Sequence, residues 1–167
     1  DGSYTDTTTA FSSTATDVTI FAADNDYIYI GHTTTFNTIR VLLATVASGA
    51  GVKPTFEYSK GSDTWGTFVP SDGTNGFRVN APISWQQALS DWAANTVNGV
   101  SKYYVRIQRT QNTLAIAPIE DKITIVPISD YIWDKEGDVN VNTLTANNLL
   151  SGTYTPTASG LVNYDAF

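Results

Sequence analysis

The sequence predicts an all-β chain: an antiparallel β-sandwich over residues 17–133, followed by an extended β stalk segment at 134–152. Three observations predict it. Short runs alternate apolar and polar side chains, which is the period of a half-buried strand. Turn dipeptides, Asn-Gly and Asp-Gly, fall between those runs. Thr is abundant, as are aromatics, with nine Tyr, seven Phe and four Trp, residue types that suit a pleated surface. A hydrophobic share of 41% supports one core, and 167 residues suit one compact domain with an appendage.

Taken in order, "DGSYTDTTTAFSSTAT" (residues 1–16) is Thr- and Ser-rich with little periodicity and reads as an N-terminal arm or linker. Strand-like runs follow: "DVTIFA", "DYIYIG", "NTIRVLLATVA" and "VKPTFEYS". In the third, Ile39, Val41 and Leu43 share one face, with Arg40 and Leu42 on the other. Then come "WGTFVP", "FRVNAPISW", "KYYVRIQRT" and "DKITIVP". Within "KYYVRIQRT", Tyr103, Val105 and Ile107 oppose Tyr104, Arg106 and Gln108. "VNGV" at 97–100 is a hairpin turn, because both central residues must tolerate positive φ. "SDGTNG" at 71–76 holds two more turn dipeptides. Only "SWQQALSDWAAN" has the makings of a helix, interrupted at Ser90-Asp91. Residues 153–167 read as the start of a further, truncated domain.

Charge and composition exclude several classes. Nine basic residues stand against sixteen acidic, a net charge of −7, and the Lys and Arg are scattered singly. Nucleic acid and anionic membranes need clustered cations, so neither is expected as a partner. There is no cysteine, hence no disulfide framework, zinc knuckle or thiol nucleophile. The apolar run "VLLATVASGAGV" is too short to cross a bilayer, so no membrane insertion is expected. No signal peptide or Asn-x-Ser/Thr sequon is visible. The chain lacks methionine altogether and is read as a piece of a longer polypeptide.

The order of "DYIYIG", Phe36, "FEYSKGSDTW", "DGTNGF", "ISW", "SDW" and "TVNGVSKYYVRIQRT" between Asp24 and Thr110 resembles a jelly-roll β-sandwich module of phage virion proteins, such as tail fibres, baseplate parts and head fibres. "LLSGTYTPT" separately looks like the lead-in to the C-terminal domain of many phage fibre and tail proteins. Only fifteen residues follow Gly152 here. The resemblance implies a jelly-roll-like sandwich in a virion, with other virion proteins as partners.

Candidate chemistry is thin. His32 is the only histidine, no Gly-x-Ser-x-Gly elbow accompanies it, and it reads as a loop residue. Glu57, Asp63, Asp72, Asp91 and Glu120 are possible glycosidase carboxylates, yet strand and turn roles explain each. "DKEGDVNVN" offers an oxygen at every second residue. An EF-hand starting at Asp134 would want Gly and Glu where Val139 and Thr145 stand. No metal, cofactor or catalytic residue is expected. Trp65, Trp85, Trp92, Tyr103 and Tyr104 are candidates for stacking on sugar rings, against the alternative that they are core. Trp65, Tyr104 and Asp72 are retained as ligand-binding candidates, with Tyr104 the least well explained by burial.

The polar ladder after the sandwich points to association. Fixing each backbone costs about 1–2 kcal/mol. Burying Val139, Val141, Leu144, Leu149 and Leu150 returns only about 1.5–3 kcal/mol each. One chain alone falls short, so these five residues are the expected oligomerisation contacts of a closed assembly, a homotrimer by the phage resemblance. A solvated linker is the alternative. The expected function is a non-enzymatic virion structural protein, a fibre or decoration module that projects from the particle and contacts the host surface, including its glycans. The alternative is a carbohydrate-binding module of a secreted bacterial protein.

Overall fold

A computed structural model describes residues 4–49, 51–86, 89–111 and 114–127. Ten strands follow one short helix: β1 (Val18–Thr19), β2 (Tyr27–His32), β3 (Phe36–Thr45), β4 (Pro54–Ser59), β5 (Trp65–Phe68), β6 (Ser71–Asp72), β7 (Ala81–Ser84), β8 (Asn95–Val97), β9 (Val100–Arg109) and β10 (Ile119–Pro127). The expectations for residues 134–167, including the contacts at Val139, Val141, Leu144, Leu149 and Leu150, lie outside the described residues.

Alternation along the two longest strands sets the layers. On β3, Ile39, Val41 and Leu43 are buried while Arg40, Leu42 and Ala44 face solvent. On β9, Val105 and Ile107 are buried against them. A one-residue slip would turn either strand inside out, so burial fixes the register.

One sheet runs β1-β10-β3-β7-β6 and the other β2-β9-β4-β5, with β8 pairing β9 as well. All these strand pairs are antiparallel. Successive strands pass back and forth between the two sheets, giving an all-β sandwich with jelly-roll wrapping.

The core grades from aliphatic to aromatic. Ile28, Ile30, Ile39, Ile83, Val105, Ile107 and Ile123 fill the middle. At one end Phe36 meets Trp92 at 5.0 Å and Trp85 at 5.7 Å, edge to face, and Phe68 meets Trp85 at 5.1 Å. Such pairs add about 0.5–1.5 kcal/mol beyond the area they bury.

The segment 84–95, which alone has the makings of a helix, is not helical among its described residues. Trp85 and Trp92 plug the aromatic end, and Leu89–Trp92 make only a turn. Burying two indoles outweighs the local helical preference. The only helical turn in the described chain is α1 (Thr8–Phe11), within the N-terminal arm; it packs along β10 with Ala10 buried.

Turns use the expected chemistry. Asn98 and Gly99 both have positive φ between β8 and β9, as that hairpin requires. Phe21 (φ 57°) and Phe77 (φ 61°) adopt the same left-handed conformation without being glycine. Both are almost fully buried and stack edge to face at 4.9 Å. The left-handed backbone costs about 1–2 kcal/mol per residue, less than an aromatic ring gains on burial. Replacing Phe77 with Ala is expected to cost about 3–5 kcal/mol in urea denaturation.

Glu120 is the anomaly of the core. It is wholly buried on β10 opposite Leu43, and neither carboxylate oxygen makes a well-formed hydrogen bond. Burial pushes its carboxyl up, the Val18 amide pulls it back in part, and Asp17 and Asp121 add to the rise. The folded chain therefore holds this proton more tightly than the unfolded chain does. Stability falls as the pH climbs from the ordinary carboxylate range through the raised value, and stays low above it. Glu120→Met should raise stability by about 1–3 kcal/mol at neutral pH, with a smaller gain in acid, measured by denaturation at both pH values.

Candidate ligand-binding face

The outward side of the second sheet is built by register. Tyr29 on β2 lies opposite Arg106 on β9, which lies opposite Glu57 on β4, which lies opposite Thr67 on β5. A parallel row holds Tyr27, Gln108 and Thr55. Trp65 projects from the start of β5 on the same side, because it pairs with Ser59, two residues on from Glu57. The inward partners Ile28, Ile30, Phe56, Val105 and Ile107 anchor each strand in the core.

Arg106 organises this face. Its guanidinium lies between two rings, 4.2 Å from the Trp65 centroid and 4.9 Å from that of Tyr27. Its Nε donates to Glu57 Oε2 at 2.7 Å, and both side chains are 19% exposed. Burial works against the charge on Arg106, but the Glu57 hydrogen bond and charge, with help from Tyr29, hold its pKa above the usual value. Tyr29 meets Trp65 edge-on at 5.8 Å and leans on Tyr27 at 5.9 Å. Burial raises the Tyr29 phenol, so it stays protonated well beyond neutral pH. Cation–π contacts are worth about 0.5–2 kcal/mol as desolvation increases. They fix the three rings in place, all partly exposed.

The arm reaches this face too. Tyr4 packs edge-on against Tyr29 at 5.6 Å. Just before α1, Asp6 accepts the Thr8 amide at 2.9 Å, which holds its carboxyl below the ordinary value.

Of the three residues singled out from the sequence, Trp65 alone stands in the cluster. Tyr104 faces the same way but is only 6% exposed. Its ring lies flat on Gly31, where a Cβ would come within 2.2 Å of Tyr104 Cε1, and its hydroxyl donates to the Val100 carbonyl at 3.0 Å. Tyr104 is therefore packing, not a free platform. Asp72 lies in the other sheet and holds the "SDGTNG" turn: its carboxylate accepts the Thr74 amide, the Thr74 hydroxyl and the Gly76 amide. Neither residue is left for a ligand, because each has its polar atoms occupied within the fold.

The other candidates have structural occupations. Trp85, Trp92 and Tyr103 belong to the aromatic end, with Trp92 meeting Tyr103 at 6.2 Å. His32 Nδ1 accepts the Thr34 amide. Asp91 accepts from the Tyr58 hydroxyl at 2.6 Å and pairs with Lys60 at 2.7 Å; Lys60 and then Tyr58 hold its carboxyl down. Glu57 is bound to Arg106, and Glu120 is in the core of the other sheet. Asp63 sits in a turn with φ 58° whose amide donates to Asn95. Among the described residues no group of three His, Cys, Asp or Glu is arranged to hold a metal.

Ser59 explains how the sheet branches beside Trp65. Its hydroxyl donates to the Ala93 carbonyl and accepts from the Trp92 indole and the Tyr104 amide. It replaces a ladder bond where β9 leaves β4 and turns to β8. With one donor and two acceptor sites filled, a wholly buried hydroxyl is satisfied there.

Compared with family models, with curated proteins and with solved structures, the chain matches none. The face is a cluster of mutually tilted rings, Tyr27, Tyr29 and Trp65, around one fixed cation, with Thr55, Thr67 and Gln108 on the same side of the sheet. It offers apolar planes beside hydrogen-bonding groups, which suits a polyhydroxylated ring laid against it.

If Arg106 pins Trp65, Arg106→Ala should increase acrylamide quenching of tryptophan fluorescence and cost about 1–2 kcal/mol. The added quenching should vanish in a Trp65→Phe background, which removes the tryptophan that Arg106 packs against.

Proposed function

We propose that this chain is a non-enzymatic virion structural protein, a fibre or decoration module that projects from the particle and contacts the host surface through the outer face of the second sheet. The observation that carries the contact is the Arg106 guanidinium packed on the Tyr27 and Trp65 rings, which holds them in place on the outer side of the sheet. Preorganised rings lose little conformational freedom on binding, so a small face gains more from each contact. Weak individual contacts become useful when several copies engage one surface. The virion setting is supported by the ordered resemblance between Asp24 and Thr110, and by the jelly-roll wrapping that such modules share.

The same face supports a second reading, a carbohydrate-binding module of a secreted bacterial protein. The two differ in where the chain resides. Antibodies against the sandwich should decorate the outside of intact particles in electron micrographs, and purified chain should compete with particles for adsorption to cells. Recovery of the chain only as a free secreted protein, with particles unlabelled, would sink the virion reading and leave the second standing.

A further inference from the structure

Two Asn-Gly pairs stand in turns of this chain, Asn75-Gly76 and Asn98-Gly99, and no other Asn precedes a glycine. Their backbones are alike: φ is 52° and 73° in the first pair, 49° and 78° in the second. Both asparagines are exposed. Their surroundings differ. The Gly76 amide donates to Asp72 Oδ2 at 2.9 Å, and the Asn75 carbonyl accepts from Arg78 Nε at 2.8 Å. That turn is also clamped by the buried Thr74, whose hydroxyl accepts the amide of the buried Phe77 at 2.9 Å. Asn98-Gly99 has no such clamp. The Gly99 amide has no hydrogen bond among the described residues, and a Cβ added to Gly99 would meet nothing within 4 Å. The strand leading into this turn, β8, has three residues and pairs with β9. So short a ladder opens locally at little cost.

We propose that Asn98 is a site of spontaneous covalent modification, at which the Gly99 amide nitrogen attacks the Asn98 side chain and converts it to an acidic residue. Freed of its proton by solvent hydroxide, that nitrogen bonds to Asn98 Cγ. The Cγ–Nδ2 bond breaks, and the nitrogen leaves as ammonia with a proton from water, which restores the hydroxide. The five-membered imide then takes up one water. Opening on one side gives aspartate; opening on the other routes the main chain through Cβ and gives isoaspartate. One water is consumed, one ammonia released and one negative charge gained. Glycine as the following residue puts no side chain in the way of the attack. At Asn75 the same step requires the Gly76 N–H to leave a charged acceptor, and the Asp72 carboxylate beside it opposes a negative nitrogen. An isoaspartate at 98 would add a main-chain atom to a two-residue turn, which breaks the Val97–Val100 register. It would also loosen β8, whose Asn95 accepts the Asp63 amide at 3.2 Å and donates to the Thr64 carbonyl at 3.0 Å, next to Trp65.

The test follows both asparagines in one sample. The full chain is incubated in mildly alkaline buffer, natively and in concentrated urea, and the peptides carrying Asn75 and Asn98 are followed by mass spectrometry. Natively, Asn98 should convert at least about ten-fold faster than Asn75, the protection expected of one hydrogen bond to a charged group. Urea should bring the two rates together. Asp72→Ala, with circular dichroism unchanged, should raise the Asn75 rate and leave that of Asn98 where it was. Equal native rates at the two positions, or a native chain that keeps both asparagines while the unfolded chain loses both, would overturn the proposal.

Discussion

The structure depends on β9. Its inward residues Val105 and Ile107 close the core against β3, while its edges pair with β2, β4 and β8. Its last residue, Arg109, is buried, donating from Nη1 to the Phe21 carbonyl at 2.7 Å and from Nε to the Gln111 carbonyl at 2.6 Å. Asp24 completes that corner at 3.6 Å. A buried guanidinium is tolerable only when its donors are filled, and the loop from Phe21 to Asp26 is shaped to fill them. One strand thus sets the core, the sheet register and the loop leading into β2.

The consequence for function is a division between faces. Register on β9 brings Arg106 between Tyr29 and Glu57, and the neighbouring strands supply Tyr27 and Trp65. The one carboxylate of the cluster is ion-paired, and burial raises the Tyr29 phenol. The opposite sheet displays Leu42, Ala44 and Val46 beside Arg40 and Lys122.

Much of the fold was legible because strand period is a local signal. The split of Ile39, Val41 and Leu43 from Arg40 and Leu42 follows from alternation alone, and so does the Asn98-Gly99 hairpin. The site was less legible. Trp65 was readable as a stacking candidate, and Tyr27, Tyr29 and Arg106 have the right parity within "DYIYIG" and "KYYVRIQRT". Their convergence depends on pairing β2, β9, β4 and β5, residues separated by up to 83 positions, as between Asn25 and Gln108. Local patterns do not carry that information. Tyr104 misled because it lies on the outward side of its strand, yet Gly31 opposite leaves room for its ring to lie down and be covered. The segment 84–95, whose local pattern allowed a helix, is not helical among its described residues; Trp85 lies in the core and Trp92 packs against it.

The proposed contact surface is the ring-and-cation cluster around Arg106. The most direct measurement is equilibrium binding of the full chain to an array of host-surface polysaccharides, alongside Trp65→Ala and a Tyr27→Ala, Tyr29→Ala pair with unchanged circular dichroism. Saturable binding that weakens at least about ten-fold in both variants is the predicted result. Binding that both variants keep at full strength would show that the contact surface lies elsewhere and contradict the account.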